Sequence, residues 1–142
     1  MSVQTVCNKI QDLIGASTRV TSAPHIEYWP AAINDPDLPI ALTRPGAATW
    51  PHECFEDVWS RRTYISEIYV KPNAQGLYAD GIVDTLAIIQ DIGGRLTGSS
   101  SGYTLESLAI DSEPRDRGLV ILTYGGTEYR GTVFELDVIE DV

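Results

Sequence analysis

The closing stretch LVILTYGGTEYRGTVFELDVIEDV, residues 119–142, constrains this chain most. Two apolar runs flank Gly125 and Gly126. A strand, a Gly-Gly pair and a second strand make a β-hairpin, because both central residues of its tight turn need positive φ. A phosphate-binding loop would instead run from a strand through glycines into a helix N-terminus. Here Gly126 is followed by Thr-Glu-Tyr-Arg and an alternating run, so the glycines are turn residues. In that run Phe134, Leu136 and Val138 oppose Glu135 and Asp137. The period shifts near Gly131, which predicts a bulge there. The nearly unbroken apolar run 119–124 reads as a central strand.

The rest of the chain adds helices and strands. Val3, Val6, Cys7, Ile10, Leu13 and Ile14 recur at helical steps, with Ser2 as N-cap and Gly15 as stop. Residues 15–38 hold three prolines and no sustained period; a short strand at 25–28 is the only element expected there. PIALTR, 39–44, reads as a strand, and 45–60 as a second irregular stretch carrying Trp50, Phe55 and Trp59. TYISEIYVK, 63–71, alternates Tyr64, Ser66, Ile68 and Val70 with Ile65, Glu67 and Tyr69. A helix is expected over 76–92, burying Ile82, Leu86 and Ile89 with Val83 and Leu96 beside them. Asp80, Asp84 and Asp91 fall mainly on its other side, and Gly93–Gly94 end it. YTLESLAI, 103–110, reads as a further strand. The expectation is one α+β domain over 1–142. Its mainly antiparallel sheet has about five strands and packs with two helices, in the order α-β-β-α-β-β-β.

Charge narrows the function classes. The chain carries 20 acids and 10 bases, net −10, and only two lysines, Lys9 and Lys71. Residues 1–75 carry 8 acids and 6 bases, against 12 and 4 in residues 76–142. Tight nucleic-acid binding needs clustered cations, so DNA is expected to slide past this surface without being held. No window is apolar enough to span a membrane, and the N-terminus does not read as a signal peptide. Cys7 and Cys54 form no disulfide framework, which suits reduced thiols and synthesis in a cytoplasm.

Catalytic patterns are weak throughout. Cys7, His25, His52 and Cys54 are possible zinc ligands, but the paired short spacings of structural zinc sites are missing. His52-Glu53-Cys54 lacks the Pro-Cys-x-x-Cys partner of zinc deaminases. Asn34-Asp35-Pro36-Asp37 lacks EF-hand spacing. Asp80 and Asp84 share a helix face, where a solvated acidic side explains them. The chain therefore reads as non-enzymatic, with no cofactor and no metal.

Three stretches carry a resemblance. They are the amphipathic N-terminal helix with its proline-rich passage into PDLPIALTRPG, the aromatic-containing linker leading to RRTYISEIYVKP and one long helix, and the hairpin LTYGGTEYRGTVFELDVIE. In order, length and texture the chain resembles the tail terminator proteins of long non-contractile-tailed bacteriophages. The resemblance implies a virion protein, made in the host cytoplasm. It would form a homo-oligomeric ring, six-fold in expectation, at the head-proximal end of the tail tube. There it would end polymerisation of the tail tube protein and join a head-completion or neck protein. The alternatives are a head-completion or neck connector and, from a different class, a small-molecule-binding or enzymatic α+β domain. The interface candidates are Trp50, Phe55, Trp59, Arg61 and Arg62, since aromatics and arginines dominate interface energetics. The competing reading is that these rings cap the sheet edge or fill the domain's own core.

Overall fold

The structure, a computed structural model, describes residues 2–50, 59–72, 78–97 and 111–141. Helix α1 spans Val3–Gly15 and helix α2 Tyr78–Thr97. The strands are β1 (Ile40–Thr49), β2 (Trp59–Pro72), β3 (Asp111–Asp116), β4 (Val120–Tyr124) and β5 (Thr127–Asp141). They form one antiparallel five-stranded sheet, so the α+β class with two helices holds. The order across the sheet departs from the reading of 119–124 as a central strand. β5, last in the chain, lies in the middle of the sheet; β2 pairs along one side of it, and β3 and β4 share the other. β4 is thus an edge strand rather than a central one. Its apolar composition is divided between a buried Leu122 and an exposed Ile121.

Local chemistry explains the elements. The Ser2 hydroxyl accepts from the Thr5 N–H at 3.0 Å and caps α1. Gly125 and Gly126, at φ 58° and 82°, supply the two left-handed residues of the β4–β5 turn. The bulge expected at Gly131 lies across from it, in β2, where the register shifts between Tyr69 and Lys71. Gly131 makes the bulge possible, because a Cβ there would collide with the Ile68 carbonyl.

Other elements depart from expectation. Residues 26–28 form a 3-10 turn rather than a strand. β1 continues past Arg44 to Thr49 by way of a register shift after Pro45, so it takes in much of the stretch expected to be irregular. α2 runs through Gly93 and Gly94, held by packing: Gly93 lies against Phe134. The strand expected at 103–110 falls outside the described residues.

The two sheet faces differ. One packs against both helices around Tyr64, Ile68, Phe134, Leu136 and Val138, with Ile10, Ile14, Ile88, Ile92 and Leu96 above them. The other is apolar at one end, where Trp29, Ile33 and Leu38 pack against Leu42, Tyr69, Leu122 and Tyr129. Tyr69 meets both Tyr124 and Tyr129 edge-on, each at 5.6 Å between ring centroids. At its other end this face bears a ladder of charges.

Candidate assembly surface

α2 decides where the candidate surface lies. The expected buried stripe, Ile82-Leu86-Ile89, is not the one the fold uses. Gly81, Thr85, Ile88, Ile92 and Leu96 face inward, and Ile89 is partly buried. Thr85 can be buried because its hydroxyl donates to the Gly81 carbonyl at 2.6 Å. With these residues inward, Ile82, Val83 and Leu86 turn outward. Val83 is 64% exposed and Leu86 53%.

These side chains do not stand alone. Leu119 and Ile121, on and just before β4, are also exposed, Ile121 by 61%. Ile82, Leu119 and Ile121 line one groove with Gly81, Thr85 and Arg130, of about 240 Å³. The groove joins Ile82 of α2 to the edge of the sheet, and Val83 and Leu86 are exposed on the same half of the helix. Exposed apolar clusters of this kind mark interaction sites, whereas scattered apolar residues do not.

The five interface candidates are not gathered into one patch. Trp50 follows β1 directly and is 52% exposed. Phe55 lies outside the described residues. Trp59 opens β2 opposite Asp141, and its side chain lies outside the described set. Arg61 and Arg62, adjacent on a strand, point to opposite faces. Arg61 is exposed, whereas Arg62 is half-buried and donates to the Gly46 carbonyl at 2.9 Å, tying β2 to the irregular part of β1. Arg62 therefore serves the fold, and Trp50 and Arg61 are the two candidates seen in the open.

The polar groups elsewhere are matched to structural partners. The buried Gln11 donates to the Pro24 and Ala41 carbonyls, both at 2.7 Å, and accepts from the Thr43 hydroxyl at 2.7 Å. Thr43 also meets Ser66 at 2.8 Å, so one amide links α1, the proline-rich passage, β1 and β2. Ser17 hydrogen-bonds Asp91, joining the end of α1 to α2. That hydroxyl, against the effect of partial burial, and the neighbouring Arg95 hold the Asp91 carboxyl below its ordinary range. His25 contacts Asp12 at 2.7 Å, which raises the imidazole's affinity for its proton.

On the open face, Arg115 donates to Asp137 and Glu135, each at 2.8 Å, and Arg117 meets Glu135 at 2.7 Å. Burial alone would raise the Asp137 carboxyl; hydrogen bonds from Thr63 and Arg115 outweigh it and hold it below the ordinary range. Burial also pushes the Tyr69 phenol up, with Glu67 adding to the effect.

Among the described residues, no three His, Cys, Asp or Glu side chains converge as a metal site. Cys7 is buried and His25 belongs to its carboxylate pair, while His52 and Cys54 lie outside the described residues. Asp35 and Asp37 sit in a proline-containing 3-10 turn. Among the described residues, no helix is long and apolar enough to cross a membrane.

No protein-family model matches the chain, and no curated protein matches it.

Proposed function

We propose that this chain is a structural virion subunit. It forms a ring at the head-proximal end of a phage tail tube, ends tube polymerisation and joins the tail to head-completion proteins. It is made in the host cytoplasm. The single observation that carries the reading is the apolar surface of Ile82, Val83, Leu86, Leu119 and Ile121, which the subunit leaves uncovered among its described residues. Each of these side chains, if fully buried, contributes about 1.5–3 kcal/mol. Their combined exposure equals more than two whole side chains, a driving force suited to repeated subunit contact. The acidic balance, strongest in the second half of the chain, suits a ring through which DNA passes without being held.

The groove fits an assembly role better than a small-molecule role. Its volume of about 240 Å³ lies below the roughly 300–1,000 Å³ of typical ligand pockets. A larger depression of about 400 Å³, lined by Thr18, Arg19, Pro39, Asp84 and Ile88, is shared between polar and apolar groups. A head-completion or neck connector would use the same apolar surface.

The test is direct. Purified protein is mixed with tail tubes assembled in vitro and imaged in negative stain. Tubes ending in a ring, with elongation arrested, support the reading. Tubes that keep growing at an unchanged rate with bare ends refute it.

A further inference from the structure

We infer that β4 is a strand-pairing edge whose partner is β4 of a second copy of this chain. Among the described residues three edge segments border the sheet, and two are blunted. β3 reads DSEPRD, with a proline and four charges. β1 carries Pro45 and the register shift after it, and its beginning is bridged by Ser22. Prolines, charges and irregularities of this kind are how sheets prevent further pairing. β4 reads VILTY, with no charge, no proline and no bulge, and among the described residues it pairs with β5 alone. Among the described edges, β4 is therefore the one open to pairing, and in a second copy it meets its own counterpart.

The register follows from the hairpin. Tyr124 and Thr127 flank the two-residue turn and form a hydrogen-bonded pair. In an antiparallel ladder, paired and unpaired positions alternate. Ile121 and Thr123 therefore aim their N–H and C=O groups outward. A two-fold axis at Leu122 sets Ile121 of each copy against Thr123 of the other, and every outward group of these residues then finds a partner.

The same axis, perpendicular to the sheet, brings the two α2 helices to one side. The uncovered Ile82 of each copy, which shares a groove with Ile121, then helps to shield both Ile121 side chains. Charge permits this approach although each chain carries −10. The surface is rimmed by both signs, Lys71 and Arg130 with Asp84 and Glu128, and Lys71 and Asp84 already stand 3.7 Å apart.

A two-fold contact closes at two copies, unlike the head-to-tail contacts of a polar ring. The pair is thus a state of the free subunit that covers its apolar surface, and it does not depend on the ring reading.

The full chain is studied by sedimentation equilibrium, alone and as Thr123→Pro and Ile121→Lys. Thr123→Pro removes one outward N–H from each copy and should weaken the dimer by about thirtyfold. Ile121→Lys, at an exposed site, should leave a folded monomer by circular dichroism. In a Cys54→Ser background, an equal mixture of Ile121→Cys and Thr123→Cys chains should form a disulfide-linked heterodimer, since the paired Cα atoms stand about 5.5 Å apart. A monomeric wild type overturns the inference. So does a wild-type oligomer that neither substitution disturbs, or cross-linking in each single variant that equals the mixture.

Discussion

The orientation of α2 can be tested by a pair of alanine substitutions, at Leu86 and Ile92, six residues apart. Ile92 is fully buried in the core beneath both helices, whereas Leu86 is 53% exposed. Ile92→Ala removes three carbon groups. At about 0.8 kcal/mol each the transfer loss is about 2.4 kcal/mol. The cavity left among Ile88, Leu96 and their neighbours brings the total to about 3–4 kcal/mol. Leu86→Ala gives up about half of a similar transfer energy and opens no cavity. Alanine's better helix propensity offsets part of the rest, so the cost is about 1 kcal/mol or less. Urea unfolding followed by circular dichroism, at concentrations where the chain is monomeric, measures both. The gap of about 2–3 kcal/mol corresponds to about 8–10 °C in melting midpoint for a domain of this size. Equal midpoints, or a larger loss for Leu86→Ala, would refute the assignment of faces and with it the apolar surface.

Three further expectations follow from local geometry. Gly131→Ala should cost about 3 kcal/mol or more in chemical denaturation, because the added Cβ meets the rigid backbone of Ile68 rather than a side chain that can move. Gln11→Ala should cost about 2–4 kcal/mol, since it strands the Ala41 carbonyl in the core and leaves the Thr43 hydroxyl with Ser66 alone; a loss under 1 kcal/mol would mean that water replaces the amide. The His25 imidazole titrates above its ordinary value because Asp12 holds its proton, so its contribution is complete below pH 6.5 and fades as pH rises through the folded-state value. An NMR titration should show this shift and its collapse in Asp12→Asn; an unchanged midpoint would remove Asp12 as the cause.

Strand content was legible where the residues imposed it. Gly125-Gly126 admits little besides a tight turn, and the alternation in 63–71 and 132–138 can be buried only on a sheet. Strand order was not legible, because it depends on which strand is flanked on both sides. LVILTY has the composition of a centre and the position of an edge. Its surplus of apolar residues is now a property to be explained rather than a guide to burial. The continuation of β1 past Arg44 was hidden for a related reason: Pro45 and Gly46 look like a stop, yet a register shift absorbs them.

The surface was illegible because α2 is apolar on more than one side. Ile82-Leu86-Ile89 and Thr85-Ile88-Ile92-Leu96 both follow helical spacing, and hydrophobicity favours the first. The fold buries the second: Ile88, Ile92 and Leu96 enter the core, and Thr85 can join them because it satisfies its own hydroxyl on the Gly81 carbonyl. The helix thus buries Ile88, Ile92 and Leu96 in its C-terminal half and leaves Ile82, Val83 and Leu86 exposed in its N-terminal half. The same argument explains Arg61 and Arg62: adjacent in sequence, they look like one cationic site, but the period of the strand divides them, one to solvent and one to the Gly46 carbonyl. A residue type that suits an interface says little until its face is known, and on α2 the inward face is the one that carries Ile88, Ile92 and Leu96.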